Sequence, residues 1–199
     1  GYPPELPEIF GAAWPSFPAA DFDLIRQPPD FLGINYYSRQ VVRHDPADWP
    51  LNAARVRQTG QTHTGLDWEV YPQGLTDILE WVASRYGPLP LYVTENGAAF
   101  YDPPQAAGGI DDPLRRSYLR DHLRAALDAM RNGVDLRGYF AWSLLDNFEW
   151  AYGYSQRFGL IHVDYASQRR TLKASARFYA EAIRGRGAVL NPGSVRGGT

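Results

Sequence analysis

The residue best placed to do chemistry is Glu95. It stands near the end of the run Leu91-Tyr92-Val93-Thr94-Glu95-Asn96-Gly97, where an apolar, β-branched stretch stops at a carboxylate followed by a turn dipeptide. A buried parallel strand reads as a continuous apolar run and Asn-Gly marks a turn, so Glu95 is expected at the carboxyl end of a strand. In α/β folds that end faces the ligand crevice. Taken alone, the stretch reads equally well as a solvated glutamate beside a surface turn. Two further strand-like runs also end in polar or aromatic clusters: Asn35-Tyr36-Tyr37, and Trp142-Ser143-Leu144-Leu145-Asp146-Asn147-Phe148-Glu149-Trp150. Polar groups at several successive strand ends converge on one spot, which weighs against coincidence at the surface.

The elements that must position these groups follow from periodicity. Residues 31–38 read as a buried strand. From Pro72 the period becomes helical, with Leu75, Ile78, Leu79 and Val82 on one face, until Tyr86-Gly87-Pro88 stops it. After the strand at 91–97 and a loop through Pro103-Pro104 and Gly108-Gly109, Asp112 is expected to cap a helix that has Pro113 at its first position. Leu114, Tyr118, Leu119, Leu123, Ala126, Leu127 and Met130 give that helix a core-facing stripe, ended by Asn132-Gly133. A third strand is expected over 136–145 and an alanine-rich helix over 174–183. This alternation signals a parallel α/β sheet. A closed barrel needs eight strands and roughly 250 residues, so three units belong to an incomplete one. The 199 residues are expected to form part of a single domain, with an irregular lead-in over 1–30 and three βα units over 31–185. A loose tail follows over 186–199. The lead-in is punctuated by proline and should hold little beyond a short turn near 21–26. The polar stretch 39–71 is expected to be a long loop, functional or disordered.

Composition excludes several classes. A formal net charge of −2 gives no reason to expect nucleic acid or an anionic membrane as partner. The absence of cysteine rules out disulfides, thiolate metal sites and a Cys nucleophile. His44, His63, His122 and His162 are scattered without ligand spacing, so no metal is expected. Lys173 is the sole lysine, which removes Schiff-base chemistry from consideration. No apolar run approaches the roughly 20 residues of a membrane span, and without a signal-peptide pattern the expected location is cytoplasmic. The aromatic content, with 6 Trp, 13 Tyr and 9 Phe, suits either core packing or floors for sugar rings.

Four segments together, 31–38, 68–74, 92–97 and above all 138–165, resemble the C-terminal part of a glycoside hydrolase family 1 β-glucosidase. The resemblance extends over essentially the whole chain. It implies a (β/α)8 TIM barrel entered just before its sixth strand, and a retaining β-glycosidase acting on terminal β-D-glucosyl residues of β-glucosides and cello-oligosaccharides without a cofactor. Glu95 matches the family's nucleophile and Tyr37 the tyrosine that donates to it. Asn35 matches a residue at the reacting-sugar subsite, and Trp142 resembles the floor under that sugar. Glu149 and Trp150 resemble the pair that binds the hydroxyls furthest from the scissile bond. Phe158 matches a ring packed around the same site, and Trp68 one that stacks the aglycone. Asp146 and Asn147 are expected to brace the turn. A carboxylate at Glu149 also argues against a 6-phosphoglycoside substrate.

One departure matters. A retaining glycosidase needs a second carboxyl group about 5–5.5 Å from the nucleophile. The family's acid/base lies in a Thr-x-Asn-Glu-Pro motif at the fourth strand, and no Asn-Glu-Pro occurs here. The expected partner is therefore the N-terminal part of the same barrel. The alternatives are a sugar-binding or interaction module and an inactive fragment.

Overall fold

The computed structural model describes residues 1–104 and 109–191. In chain order its elements are α1 (Leu6–Phe10), α2 (Asp21–Ile25), β1 (Leu32–Asn35), β2 (Val42–His44), β3 (Ala53–Arg55), α3 (Gln73–Tyr86), β4 (Leu91–Asn96), α4 (Pro113–Arg131), β5 (Leu136–Ala141), β6 (Ile161–Val163), β7 (Arg170–Leu172) and α5 (Ala174–Arg184). Gly108 and the tail from residue 192 lie outside the described residues. The chain forms two units, one of Gly1–Asp30 with Gln40–Thr59, the other of Phe31–Arg39 with the described residues from Gly60 onward.

The smaller unit holds more regular structure than its prolines suggest. Proline sits in the first turn of α1, where a missing N–H is tolerated, and α2 forms where the turn was expected. Tyr2, Trp14, Phe17 and Phe22 meet through tilted or edge-on ring contacts. Strands β2 and β3 pair antiparallel from Val42↔Arg55 to His44↔Ala53, so part of the stretch 39–71 is a hairpin rather than loop. Each strand is three residues long and β2 is exposed throughout, so no alternation betrays it.

The larger unit is built on a parallel sheet in the order β1-β4-β5. The register runs Leu32↔Leu91 and Ile34↔Val93 on one side of β4, and Leu91↔Leu136 and Val93↔Tyr139 on the other. Leu75, Leu79 and Val82 of α3 and Ala125, Ala126 and Ala129 of α4 cover one face, over Leu91, Val93 and Leu136. Leu75, Leu79 and Leu91 are fully buried, each worth roughly 1.5–3 kcal/mol. The other face carries Gly33, Tyr92 and Gly138 abreast. The Phe31 ring stands 5.3 Å from Tyr92, and Phe31 and Phe140 are largely exposed. Among the described residues β1 and β5 each pair with β4 alone.

Three expectations need correction. Asp112 precedes α4, but its side chain makes no capping bond; it accepts instead from Arg115 and from Ser175. The buried face of α4 is Arg115, Tyr118, Leu119, His122, Ala125, Ala126 and Ala129, while Leu114 and Met130 are exposed. The third strand stops at Ala141, because residues 143–146 bond to 158–161 instead. The hairpin β6–β7 follows, which the sequence did not suggest.

Candidate active site

Glu95 lies one residue before the end of β4, where the ladder slips. Asn35 of β1 comes opposite Glu95 rather than Thr94, a shift of register between Ile34 and Asn35. Such irregularities re-aim side chains next to sites. The Tyr37 hydroxyl donates to Glu95 Oε2 at 2.6 Å, and the Thr94 hydroxyl donates to Asn35 Oδ1 at 2.7 Å, so that the Nδ2 of that amide remains as its donor edge. The Tyr37 ring meets Trp68 at 5.4 Å and Phe158 at 6.1 Å, and those two rings lie 6.2 Å apart. The Trp142 indole donates to Glu149, whose carboxylate also feels the charge of Glu95. Seven of the eight residues singled out by the sequence, all but Trp150, therefore gather around the end of the sheet. Trp150 starts a turn of 3-10 helix, 84% exposed.

Local sequence explains why these groups hold their places. A Cβ on Gly97 would lie 1.7 Å from the Trp142 carbonyl oxygen, so only glycine lets β4 pass that close to the chain leaving β5. The Trp142 N–H closes the approach on Asn96 O at 2.9 Å, and the Trp142-Ser143 peptide is cis. Asp146 then braces the turn. Its carboxylate accepts from Arg157 at 2.7 Å, from the Gly159 N–H at 2.9 Å and from Lys173 at 3.2 Å. Asn147 donates to the Ser143 hydroxyl and to Leu145 O. Both residues brace, as the sequence suggested.

Beneath the turn lies a set of charges that sequence reading missed. Arg115 donates to Asp102 and Asp112, and Lys173 reaches Asp102 and Asp146. With Arg157 added, three cations meet three carboxylates. Arg115 and Lys173 are fully buried, so each needs its partners. Apart from Arg115 and Asp112, three residues apart, its pairs stand 11 to 71 residues apart, which hides the cluster from any local motif.

The electrostatics divide the roles. Burial first, and then the bond to the Glu95 carboxylate, push the Tyr37 phenol far up, so it remains a donor. Burial and the charge of Glu95 push the Glu149 carboxyl up, while the Trp142 bond opposes them. Glu69 accepts from both Arg39 Nε and Nη2, at 2.9 and 3.0 Å, and is engaged as a brace. A carboxylate with a fixed phenolic donor, set among aromatic rings at the carboxyl end of a parallel sheet, can attack an electrophilic carbon and be released from it.

The family model for glycosyl hydrolase family 1 matches residues 1–188. The chain belongs to that family. It is 44% identical over 167 residues to β-glucosidase A of Thermotoga maritima, covering 84% of this chain and 37% of the relative. It is 41% identical to a bifunctional β-D-glucosidase/β-D-fucosidase of Bifidobacterium breve, covering 92% and 43%. Among solved structures it is similar to the β-glucosidase from Thermotoga maritima in complex with glucoimidazole, with a TM-score of 0.87 and 40% identity, over 94% of this chain and 42% of that one. The chain thus spans about two-fifths of the length of these relatives, which are TIM-barrel enzymes.

Proposed function

We propose that this chain is the C-terminal three-unit part of a retaining β-glycosidase barrel, with Glu95 as the nucleophile. The observation that carries the reading is the 2.6 Å bond from Tyr37 to Glu95 at the sheet's carboxyl end, in a chain that belongs to a glycosyl hydrolase family. Glu95 attacks C1 of a terminal β-D-glucosyl residue as the glycosidic oxygen departs with a proton, leaving a glycosyl ester. Water then gives up a proton to the acid/base carboxylate and attacks C1, and the ester bond breaks back to the Glu95 carboxylate. That second carboxylate comes from the preceding strands of the barrel, which also cover the unpaired edges of β1 and β5.

Asn35 Nδ2 serves the hydroxyl beside the reacting carbon, where a hydrogen bond strengthens as charge develops. Trp142 floors the ring, while Glu149 and Trp150 hold the far hydroxyls. Trp68 and Phe158 form the aromatic wall, with Trp68 toward the aglycone. The substrates are β-glucosides and cello-oligosaccharides.

The test uses the completed barrel, the chain joined to its preceding strands. With 2-deoxy-2-fluoro-β-D-glucosyl fluoride, fluoride leaves unaided as the Glu95 ester forms. Peptide mapping is expected to find the label on Glu95 and none in Glu95→Gln. Label on another carboxylate, or full turnover by Glu95→Gln, overturns the proposal. Tight binding of a glucose-configured inhibitor with no label anywhere points to a sugar-binding module.

A further inference from the structure

Directly behind Glu95 lies a hydrogen-bonded knot to which no role has been given. Asn96 is fully buried. Its Nδ2 donates to Tyr36 O at 2.7 Å and to the Tyr118 hydroxyl at 3.1 Å, and its Oδ1 accepts from the Tyr139 hydroxyl. The Tyr118 hydroxyl in turn donates to Tyr37 O at 3.0 Å and is also approached by the Gly97 backbone N–H. Tyr139 is tied at its carbonyl by the Tyr179 hydroxyl at 2.9 Å. One amide and three phenols thus join β1, β4, α4, β5 and α5 at a single point.

The knot stands where the ladder fails. Tyr36 N–H donates to Glu95 O at 2.9 Å, and a continuing parallel ladder would return a bond from the N–H of residue 97 to Tyr36 O. Gly97 turns instead toward Tyr118, pressed against the Trp142 carbonyl. The Asn96 side chain supplies the missing donor to Tyr36 O. The backbone carbonyls of both Tyr36 and Tyr37 are therefore fixed by side chains rather than by the sheet. The Tyr37 phenol that meets Glu95 springs from that same fixed segment.

We propose that Asn96, Tyr118 and Tyr139 are positioning residues that set the Tyr37 phenol and the Glu95 carboxylate in attacking geometry, using only neutral groups so that no charge is added beside the nucleophile. Their hydrogen-bond demands are matched within the knot: both Asn96 amide hydrogens and its oxygen are used, and the Tyr118 oxygen both donates and accepts. Burial raises the Tyr118 and Tyr139 phenols well above their ordinary range, so the knot is neutral at any working pH. Asn96 could not be aspartate without losing two donors and gaining a charge next to Glu95.

This inference rests on Glu95 being the nucleophile, and its test separates the two. In the completed barrel, Tyr118→Phe keeps the ring and its 3.8 Å stack on His122 while deleting the hydroxyl. Burst titration with the fluorosugar counts competent sites, and the time course gives the rate of ester formation per site. A shift of about 1 Å in a reacting group can cost up to on the order of 10²-fold, so the expected change is a roughly tenfold slower rate per site with the apparent sugar affinity unchanged. A purely structural role would lower the number of sites and leave the rate per site alone; that result, or a loss of affinity at an unchanged rate, overturns the proposal. Should Tyr118→Phe yield no competent sites, Tyr139→Phe decides by the same criterion. If the unsubstituted barrel is not labelled at Glu95, the parent reading has failed instead.

Discussion

Replacing His122 should remove a specific pH dependence from the stability of the fold. The imidazole is fully buried on α4, stacked on Tyr118, with Nδ1 2.8 Å from Tyr118 O. Nε2 is buried and has no hydrogen-bond partner among the described residues. A second proton would place an unpaired charge in the core, so burial pushes the group down to about 4, against opposing effects of the Tyr118 carbonyl and Asp121. In the unfolded chain the same group takes up its proton near pH 6.5. Between those values the unfolded state holds a proton that the folded state does not, so stability falls as the pH falls. The whole interval costs about 3 kcal/mol, of which about 2 kcal/mol is lost between pH 7 and pH 5. Urea unfolding at half-unit steps between pH 7 and pH 5, on the parent and on His122→Phe, measures it. His162, whose pKa burial and Arg157 also lower, is present in both and cancels. Parallel curves for the two proteins would refute the reasoning.

The buried charge cluster predicts that Lys173→Met, which takes one cation from Asp102 and Asp146 while leaving each an arginine, costs about 1.5–3 kcal/mol; a shift in urea midpoint equivalent to less than about 1 kcal/mol would remove the lysine's structural role. Gly97→Ala drives a methyl into the Trp142 carbonyl and is expected to cost about 3 kcal/mol or more, read as a drop in Tm, whereas the same change at half-buried but unobstructed Gly109 should not. Because Glu149 is raised, sugar affinity in the completed barrel should fall with decreasing pH at values above the ordinary glutamate range. In Glu95→Gln that acid limb should move to lower pH, since the second-largest cause of the shift is gone. Inhibitor titration across pH checks both.

Much of the sheet and its helices was legible because each element carries its own period. Leu75, Leu79 and Val82 recur at helical spacing, and the run 91–96 forms a single strand. The hairpins β2–β3 and β6–β7 were not legible, since strands of three residues offer too few positions to alternate. The stripe on α4 was read too far toward its leucines: Leu123, Leu127 and Met130 line an open groove of about 310 Å³ with Tyr179, Ile183 and Leu190, while alanines and His122 take the packed face. Of the candidate site, Glu95 was singled out by its position, but the roles proposed for Asn35, Trp68 and Glu149 came from resemblance to a family. The knot around Asn96 was hidden because its partners stand 22, 43 and 60 residues away, and Asn-Gly read simply as a turn.

The burial of Lys173 gives the chain an unusual analytical property. It is the only lysine among 20 basic residues, and it sits with no exposure between β7 and α5. A lysine-specific protease therefore finds one peptide bond to cut, and finds it only while that junction is open. When opening and closing are fast relative to cleavage, the rate of the single cut tracks the equilibrium population of the open form. Digestion yields two fragments that can be weighed, so one enzyme and one mass spectrum convert a side chain chosen for its fit into a gauge of how often the last βα unit comes apart.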